Sequence, residues 1–246
     1  ISSPIVADIW GDDNLEVVLE VEDKVVVLSN GDASNGYGVE WSQKMGNYVT
    51  SPVLVGGSND RSIVVGTQDG NLLLLDPSSK TVEDNIAIGS TIYSTPVVSD
   101  NQVYVSTYES GVFRYDVVSD NFDWEWGESS VNYVQGGLSL GDVSGDGSLD
   151  LVVPSRDNSV YVFDAGNGNL NWSYAAGGPI LSSTVLADVN HDGVKDVLFG
   201  TDSDNIYGIN ASWEHAGGVY AVEHGGTKLW YEEVGDSIRT GPVVSD

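Results

Sequence analysis

Residues Gly137–Ala175 read "GLSLGDVSGDGSLDLVVPSRDNSVYVFDAGNGNLNWSYA". Four short runs, "GLSLGD", "LDLVVPS", "SVYVFD" and "LNWSYA", are rich in Val, Leu, Tyr and Trp, and clusters of Asp, Asn and Gly punctuate them. That is the pattern of short β-strands joined by turns. The N-terminal stretch gives the same four runs as "SPIVAD", "LEVVLEV", "KVVVLSN" and "VEWSQKM". No part of the chain carries a convincing 3.6-residue apolar period, so helices are not expected.

Working outward, the first run recurs. "SSPIVAD" ends at Asp8, "VTSPVLVG" at Gly56, "STPVVSD" at Asp100, "GGLSLGD" at Asp142, "SSTVLAD" at Asp188 and "TGPVVSD" at Asp246. A period of about 40–50 residues built from strands is the signature of propeller blades. The expectation is an all-β propeller of four-stranded antiparallel blades, with five full repeats (2–49, 50–93, 94–135, 136–181 and 182–239) and the start of a sixth at 240–246. Each blade would bury its inner strands against its neighbours. Five blades could close a small ring, but 240–246 would then compete with 2–8 for one inner position. Part of a larger propeller, completed by further sequence or by self-association, is the expected arrangement.

Two of the connections between a first and a second strand are acidic. "DVSGDGSLD" and "DVNHDGVKD" place side-chain oxygens at positions 1, 3, 5 and 9: Asp142, Ser144, Asp146 and Asp150, then Asp188, Asn190, Asp192 and Asp196. Ser148 and Val194, at position 7, complete the two candidate ligand sets. Three carboxylates in nine residues repel one another, and hard oxygen ligands call for Ca²⁺. Gly147 and Gly193 at position 6 supply the positive φ that lets such a loop curl. An EF-hand is excluded, since Val153 and Phe199 stand where its Glu would be and no helix follows. The first repeat offers a degenerate third candidate in "DIWGDDNLE": Asp8, Asp12, Asn14 and Glu16, with Trp10 at position 3 and Asp13 at position 6. "GGSNDRS" and "DNQ" in the second and third repeats read as ordinary turns.

These segments resemble two known families. "STPVVSDNQVYVSTYESGVFRYD" and "SVYVFDAGNGNLNWSYA" are similar to the PQQ-like β-propeller repeat, whose outer strand ends in a Trp that docks on the next blade. Trp41, Trp126, Trp172 and Trp230 fit that role, and in the second repeat Ile86 stands nearest to it. The acidic loops resemble the FG-GAP repeats of integrin α-chain propellers, in which this loop joins the first two strands and binds Ca²⁺. The resemblance implies a calcium-stabilised propeller with two Ca²⁺ sites, a third being the degenerate set.

Composition narrows the function. The 246 residues carry 9 basic and 37 acidic side chains, a net charge of −28, which excludes nucleic acid and anionic membrane surfaces as partners. Two Ca²⁺ ions would offset only four of those charges, so such a surface lives in high salt or holds more cations. There is no cysteine, and no apolar run approaches the ~20 residues of a membrane span. Absence of cysteine also removes the adjacent pair that many quinoprotein dehydrogenases place near the quinone. No nucleophile elbow, Walker loop or zincin helix is present. His191, His215 and His224 read as exposed loop histidines. Between the second and third strands of the fifth repeat lies an extra "SDNIYGINASWEHA", residues 203–216. Its Tyr207, Trp213 and His215 form a candidate binding loop on the face away from the acidic loops. Asn171 and Asn210 open glycosylation sequons.

The expectation is a non-catalytic binding, adhesion or assembly module of an exported or cell-surface protein, with a protein or carbohydrate ligand or a second copy as partner. A fragment of a quinoprotein dehydrogenase or of a polysaccharide-active propeller is the enzymatic alternative, and a spacer in a surface layer is the third.

Overall fold

The computed structural model describes residues 3–30, 36–57, 60–109, 111–126, 133–202 and 217–245. Among the described residues, twenty strands form five four-stranded sheets, each a meander in chain order. The first comprises β1 (Ile5–Ala7), β2 (Glu16–Val21), β3 (Lys24–Ser29) and β4 (Gly38–Lys44). The second comprises β5 (Val53–Gly57), β6 (Asp60–Gly66), β7 (Asn71–Asp76) and β8 (Thr81–Ala87). The third holds β9 (Val97–Ser99), β10 (Gln102–Ser106), β11 (Val112–Asp116) and β12 (Asn121–Trp126). The fourth holds β13 (Ser139–Gly141), β14 (Asp150–Pro154), β15 (Ser159–Asp164) and β16 (Leu170–Ala175). In the fifth, β17 (Val185–Ala187) and β18 (Asp196–Gly200) precede β19 (Gly218–Glu223) and β20 (Thr227–Glu233). No helix occurs among the described residues, so none could cross a membrane. The chain is all-β and built of propeller blades.

Two compact units divide the chain, Ile1–Asp123 and Trp124–Asp246. In the first unit, alternate residues of β6 and β7 point to opposite faces, and both faces are buried. Ile63, Val65, Leu73 and Leu75 pack with Val18, Val25, Val27 and Trp41 of the first sheet. Val64, Leu72 and Leu74 pack with Val103, Val105, Phe113 and Tyr115 of the third. Two-sided burial explains why "SIVV" and "LLLL" are continuous apolar runs where a half-exposed strand would alternate. Each fully buried Val or Leu contributes about 1.5–3 kcal/mol. The second unit repeats the scheme, with Val152, Val160 and Val162 of the fourth sheet against Val197, Phe199, Tyr220 and Val222 of the fifth.

The outer strands of the first, second and fourth sheets dock as the PQQ-like resemblance implies. Trp41 lies in the cluster shared with the second sheet, and Ile86 packs against the cluster shared with the third. Trp172 reaches the β19–β20 turn of the next blade, where a Cβ on Gly226 would meet its ring at 3.2 Å. Trp230, in the last sheet, is 41% exposed. The side chain of Trp126 lies outside the described residues. Four sheets share a bulge at the same place in the third-to-fourth strand pairing, between Val27 and Leu28, Leu74 and Leu75, Val162 and Phe163, and Ala221 and Val222. Each bulge inserts one extra outer-strand residue: Glu40, Glu83, Asn171 or Leu229.

The start of the sixth repeat forms no strand. Gly241 nevertheless lies against Ser183 and Val185, where its Cβ would come within 3.2–3.6 Å. The motif thus runs beside β17, as β13 does.

Candidate metal loops

The three acidic connections, β1–β2, β13–β14 and β17–β18, share one backbone conformation. Position 4 is left-handed in each, at Gly11 (φ 70°), Gly145 (φ 78°) and His191 (φ 62°). Position 6 is left-handed as well, at Asp13 (φ 68°), Gly147 (φ 86°) and Gly193 (φ 93°). Asp13, out of place by the sequence pattern, adopts the same geometry at the cost of strain that Gly avoids. His191 therefore serves the curl of the backbone and contributes no ligand position.

The acidic side chains organise the loops. Asp142 accepts the Gly145 and Gly147 N–H groups at 2.7 and 2.9 Å. Asp188 accepts those of Asp192 and Gly193 at 3.1 and 3.0 Å. Asp8 accepts those of Gly11, Asp12 and Asp13 at 2.6, 3.1 and 3.0 Å. These backbone bonds outweigh desolvation and hold the Asp8 carboxyl below the ordinary Asp range. Position 5 closes a smaller turn, with Asp146 accepting from Ser148 and Asp192 from Val194, both through Oδ1. The Val194 bond, with Asn190 and His224 nearby, lowers the pKa of Asp192.

Position 9 is the buried member. Glu16, Asp150 and Asp196 are each 1% exposed and open the second strand of their blade. Each accepts the N–H of position 2 in its own loop: Ile9 at 3.1 Å, Val143 at 2.9 Å and Val189 at 2.8 Å. Burial pushes all three carboxyls above the ordinary range despite those bonds. Their second oxygens differ. Asp150 Oδ1 accepts Asn171 Nδ2 at 2.8 Å, from the bulge residue of β16. Asp196 Oδ1 is buried with no hydrogen-bond partner, and the equivalent bulge residue of β20 is Leu229. Ser144 Oγ is likewise buried, beside Asp150 and without an aligned hydrogen bond.

The fourth and fifth loops adjoin. A Cβ on Gly145 would meet Val194 at 3.1 Å, and one on Gly141 would meet Lys195 Nζ at 3.5 Å. In the first unit Arg61 of the second sheet donates to the carbonyl oxygen of Asp8. A cation from the following blade thus flanks two of the three loops. His224, on the β19–β20 turn, brings Nδ1 to 3.7 Å from Asp192 Oδ2. With Glu223 it forms a group whose donor atoms lie within 4.8 Å of one another. Sequence spacing did not reveal that proximity, because His224 is 32 residues from Asp192. Asn171 was legible as a sequon, but its contact with Asp150, 21 residues away, depends on the bulge in the β15–β16 pairing. Its amide nitrogen, the sequon's attachment atom, is engaged with Asp150. Tyr207, Trp213, His215 and Asn210 lie outside the described residues.

The profile of the outer membrane protein assembly factor BamB, built from PQQ-type repeats, matches residues 22–148. The chain belongs to this BamB-like PQQ-repeat family. A second profile, the FG-GAP-like repeat, matches residues 142–199, which span both acidic loops of the second unit. Two lambda-carrageenases, from Pseudoalteromonas sp. and Pseudoalteromonas carrageenovora, are each 24% identical over 155 residues, 62% of this chain. The matched stretch is 16% of the length of either enzyme. Among solved structures, BBS1N in complex with ARL6DN aligns over 98% of this chain and 69% of its own, at a TM-score of 0.62 and 13% identity. The mitotic checkpoint complex aligns over 98% and 74%, at 0.66 and 14%. At such identities the likeness concerns the fold alone. Propellers commonly mediate protein interactions, and both of these structures are of complexes.

Proposed function

We propose that this chain is a calcium-stabilised β-propeller module of an exported or cell-surface protein, working in binding, adhesion or assembly and not in catalysis. The observation that carries it is Asp196 Oδ1, a buried carboxylate oxygen without a hydrogen-bond partner, in a loop that places side-chain oxygens at positions 1, 3, 5 and 9. A buried carboxylate oxygen left without a partner is costly, and a hard cation relieves the cost. Asp188, Asn190, Asp192 and Asp196 would hold one ion, with the carbonyl of Val194. Asp142, Ser144, Asp146 and Asp150 would hold another, with that of Ser148. Asp8, Asp12, Asn14 and Glu16 are the weaker third set, because Trp10 supplies no oxygen at position 3. The ion would supply charge neutralisation between the first two strands of a blade. Export follows from the need for millimolar Ca²⁺ and is supported by the FG-GAP-like match.

Thermal unfolding before and after chelation tests this reading. Calcium bound only by the folded chain should stabilise by about 2.7 kcal/mol per site at a hundredfold excess over Kd. An unchanged melting temperature, in protein first shown to contain calcium, would contradict it. The carrageenase similarity favours a second reading, in which the module is the propeller of a polysaccharide-active enzyme whose catalytic residues lie elsewhere. Depolymerisation of lambda-carrageenan by this chain itself would overturn the non-catalytic assignment.

A further inference from the structure

Strand register fixes an equivalent position at the end of the second strand in every sheet, two residues past Val18, Val64, Tyr104, Val152 and Leu198. Those residues are Glu20, Gly66, Ser106, Pro154 and Gly200. Four of them are small or compact and sealed. Ile92 covers Gly66 so closely that a Cβ would fall 2.4 Å from its Cγ2, and Ile238 covers Gly200 at 2.2 Å. The Ser106 hydroxyl is bonded to Ser94, and Pro154 is buried. Glu20 breaks the pattern. Its carboxylate is half-buried and joins no ion pair among the described residues.

In front of Glu20 opens a cleft of about 240 Å³ within the first unit, lined by Tyr48, Thr50, Gln68, Tyr93 and Thr95. Tyr48 and Tyr93 are 59% and 45% exposed, large aromatic surfaces left to water. Both are held in place. The Tyr48 carbonyl accepts the Gln68 N–H at 3.1 Å, and Val49 bridges to Thr67. Tyr93 meets Tyr108 edge-on, centroids 5.5 Å apart and planes at 85°. Thr50 is fixed by accepting the Gly66 N–H at 2.9 Å.

We propose that this cleft binds one hexose unit of a neutral polysaccharide. Exposed tyrosine rings offer flat apolar faces for the C–H face of a pyranose. The Glu20 carboxylate accepts hydroxyl hydrogens in charge-assisted bonds, while Gln68 and Thr95 can both donate and accept. A lining of hydroxyl, amide and carboxylate around two aromatic rings is the mixture a polyol requires, and an ammonium cage would be lined mainly by rings. A net charge of −28 repels sulfated or uronate-rich chains and leaves neutral ones unopposed. The inference rests on the binding half of the reading above and is independent of calcium.

The test is saturation-transfer NMR and calorimetry on the full chain in calcium. Probes are neutral hexasaccharides of glucose, mannose and galactose, a sulfated carrageenan hexasaccharide, and phosphocholine. At least one neutral hexasaccharide should bind, with transfer to its ring protons, and the sulfated probe should not. Tyr48→Ala, Tyr93→Ala and Glu20→Gln should each weaken binding about tenfold or more. Tyr93→Phe should retain most of it and covers the case in which an alanine variant fails to fold. Binding by none of the neutral probes, affinity unchanged in Tyr48→Ala and Glu20→Gln, or preference for phosphocholine or the sulfated probe would overturn the proposal. Glycan binding that persists while melting ignores chelator would retain the cleft and remove the calcium reading; the converse pattern would do the opposite.

Discussion

The fourth and fifth blades carry the same loop and finish it differently. Both bury the last aspartate at the start of the second strand, and both give one of its oxygens to a loop N–H. In the fourth blade the bulge residue Asn171 satisfies the other oxygen; in the fifth Leu229 occupies that place and Asp196 Oδ1 is unpartnered. If the loops hold calcium as proposed, this single outer-strand residue would set how far each depends on the ion. The fifth loop should then lean on calcium more heavily than the fourth.

The largest effect should come from removing the loop's organising residue. Asp188→Ala, in calcium a hundredfold above Kd, should lose about 2.7 kcal/mol of binding-linked stability, read from denaturant midpoints. Because Val194 touches Gly145, combining it with Asp142→Ala should not be additive. A smaller change converts the fourth loop into the fifth. Asn171→Leu should cost about 1–3 kcal/mol in chelated protein by orphaning Asp150 Oδ1, and less when calcium is present. The reverse exchange, Leu229→Asn, should stabilise the chelated protein by about 1 kcal/mol and narrow the gap between the two loops. Equal calcium dependence of the two loops in the unaltered protein would break the comparison.

The smallest expected effect is that of pH. Glu16, Asp150 and Asp196 have pKa values raised by burial. Their contribution to the chelated protein is therefore fully present below the unfolded carboxylate range, about pH 4, and is lost as pH rises through the higher folded values. Repulsion within a chain of net charge −28 acts in the same direction. Chelated protein should melt higher at pH 5 than at pH 7, whereas the increment added by calcium should shrink at pH 5, where protons compete for the same oxygens.

The blades themselves were legible in the sequence because strands such as β7, β10, β14 and β18 are buried on two faces, which leaves continuous apolar runs between turn residues. The acidic loops were legible for a local reason, since their spacing and glycines lie within nine residues. Asp13 and His191 were harder: each takes a left-handed conformation that its residue type does not announce. The contact of Asn171 with Asp150 and the approach of His224 to Asp192 were out of reach, since strand pairing brings them from 21 and 32 residues away. Glu20 became conspicuous only when register aligned it with Gly66, Ser106, Pro154 and Gly200.

Calcium stoichiometry tests the central claim most directly. Calorimetric titration of chelator-stripped protein should give two calcium ions bound per chain with useful affinity, falling to one in Asp142→Ala and one in Asp188→Ala, with proton release growing at lower pH. No heat of calcium binding, or the same stoichiometry in the doubly substituted Asp142→Ala, Asp188→Ala chain, would contradict the account.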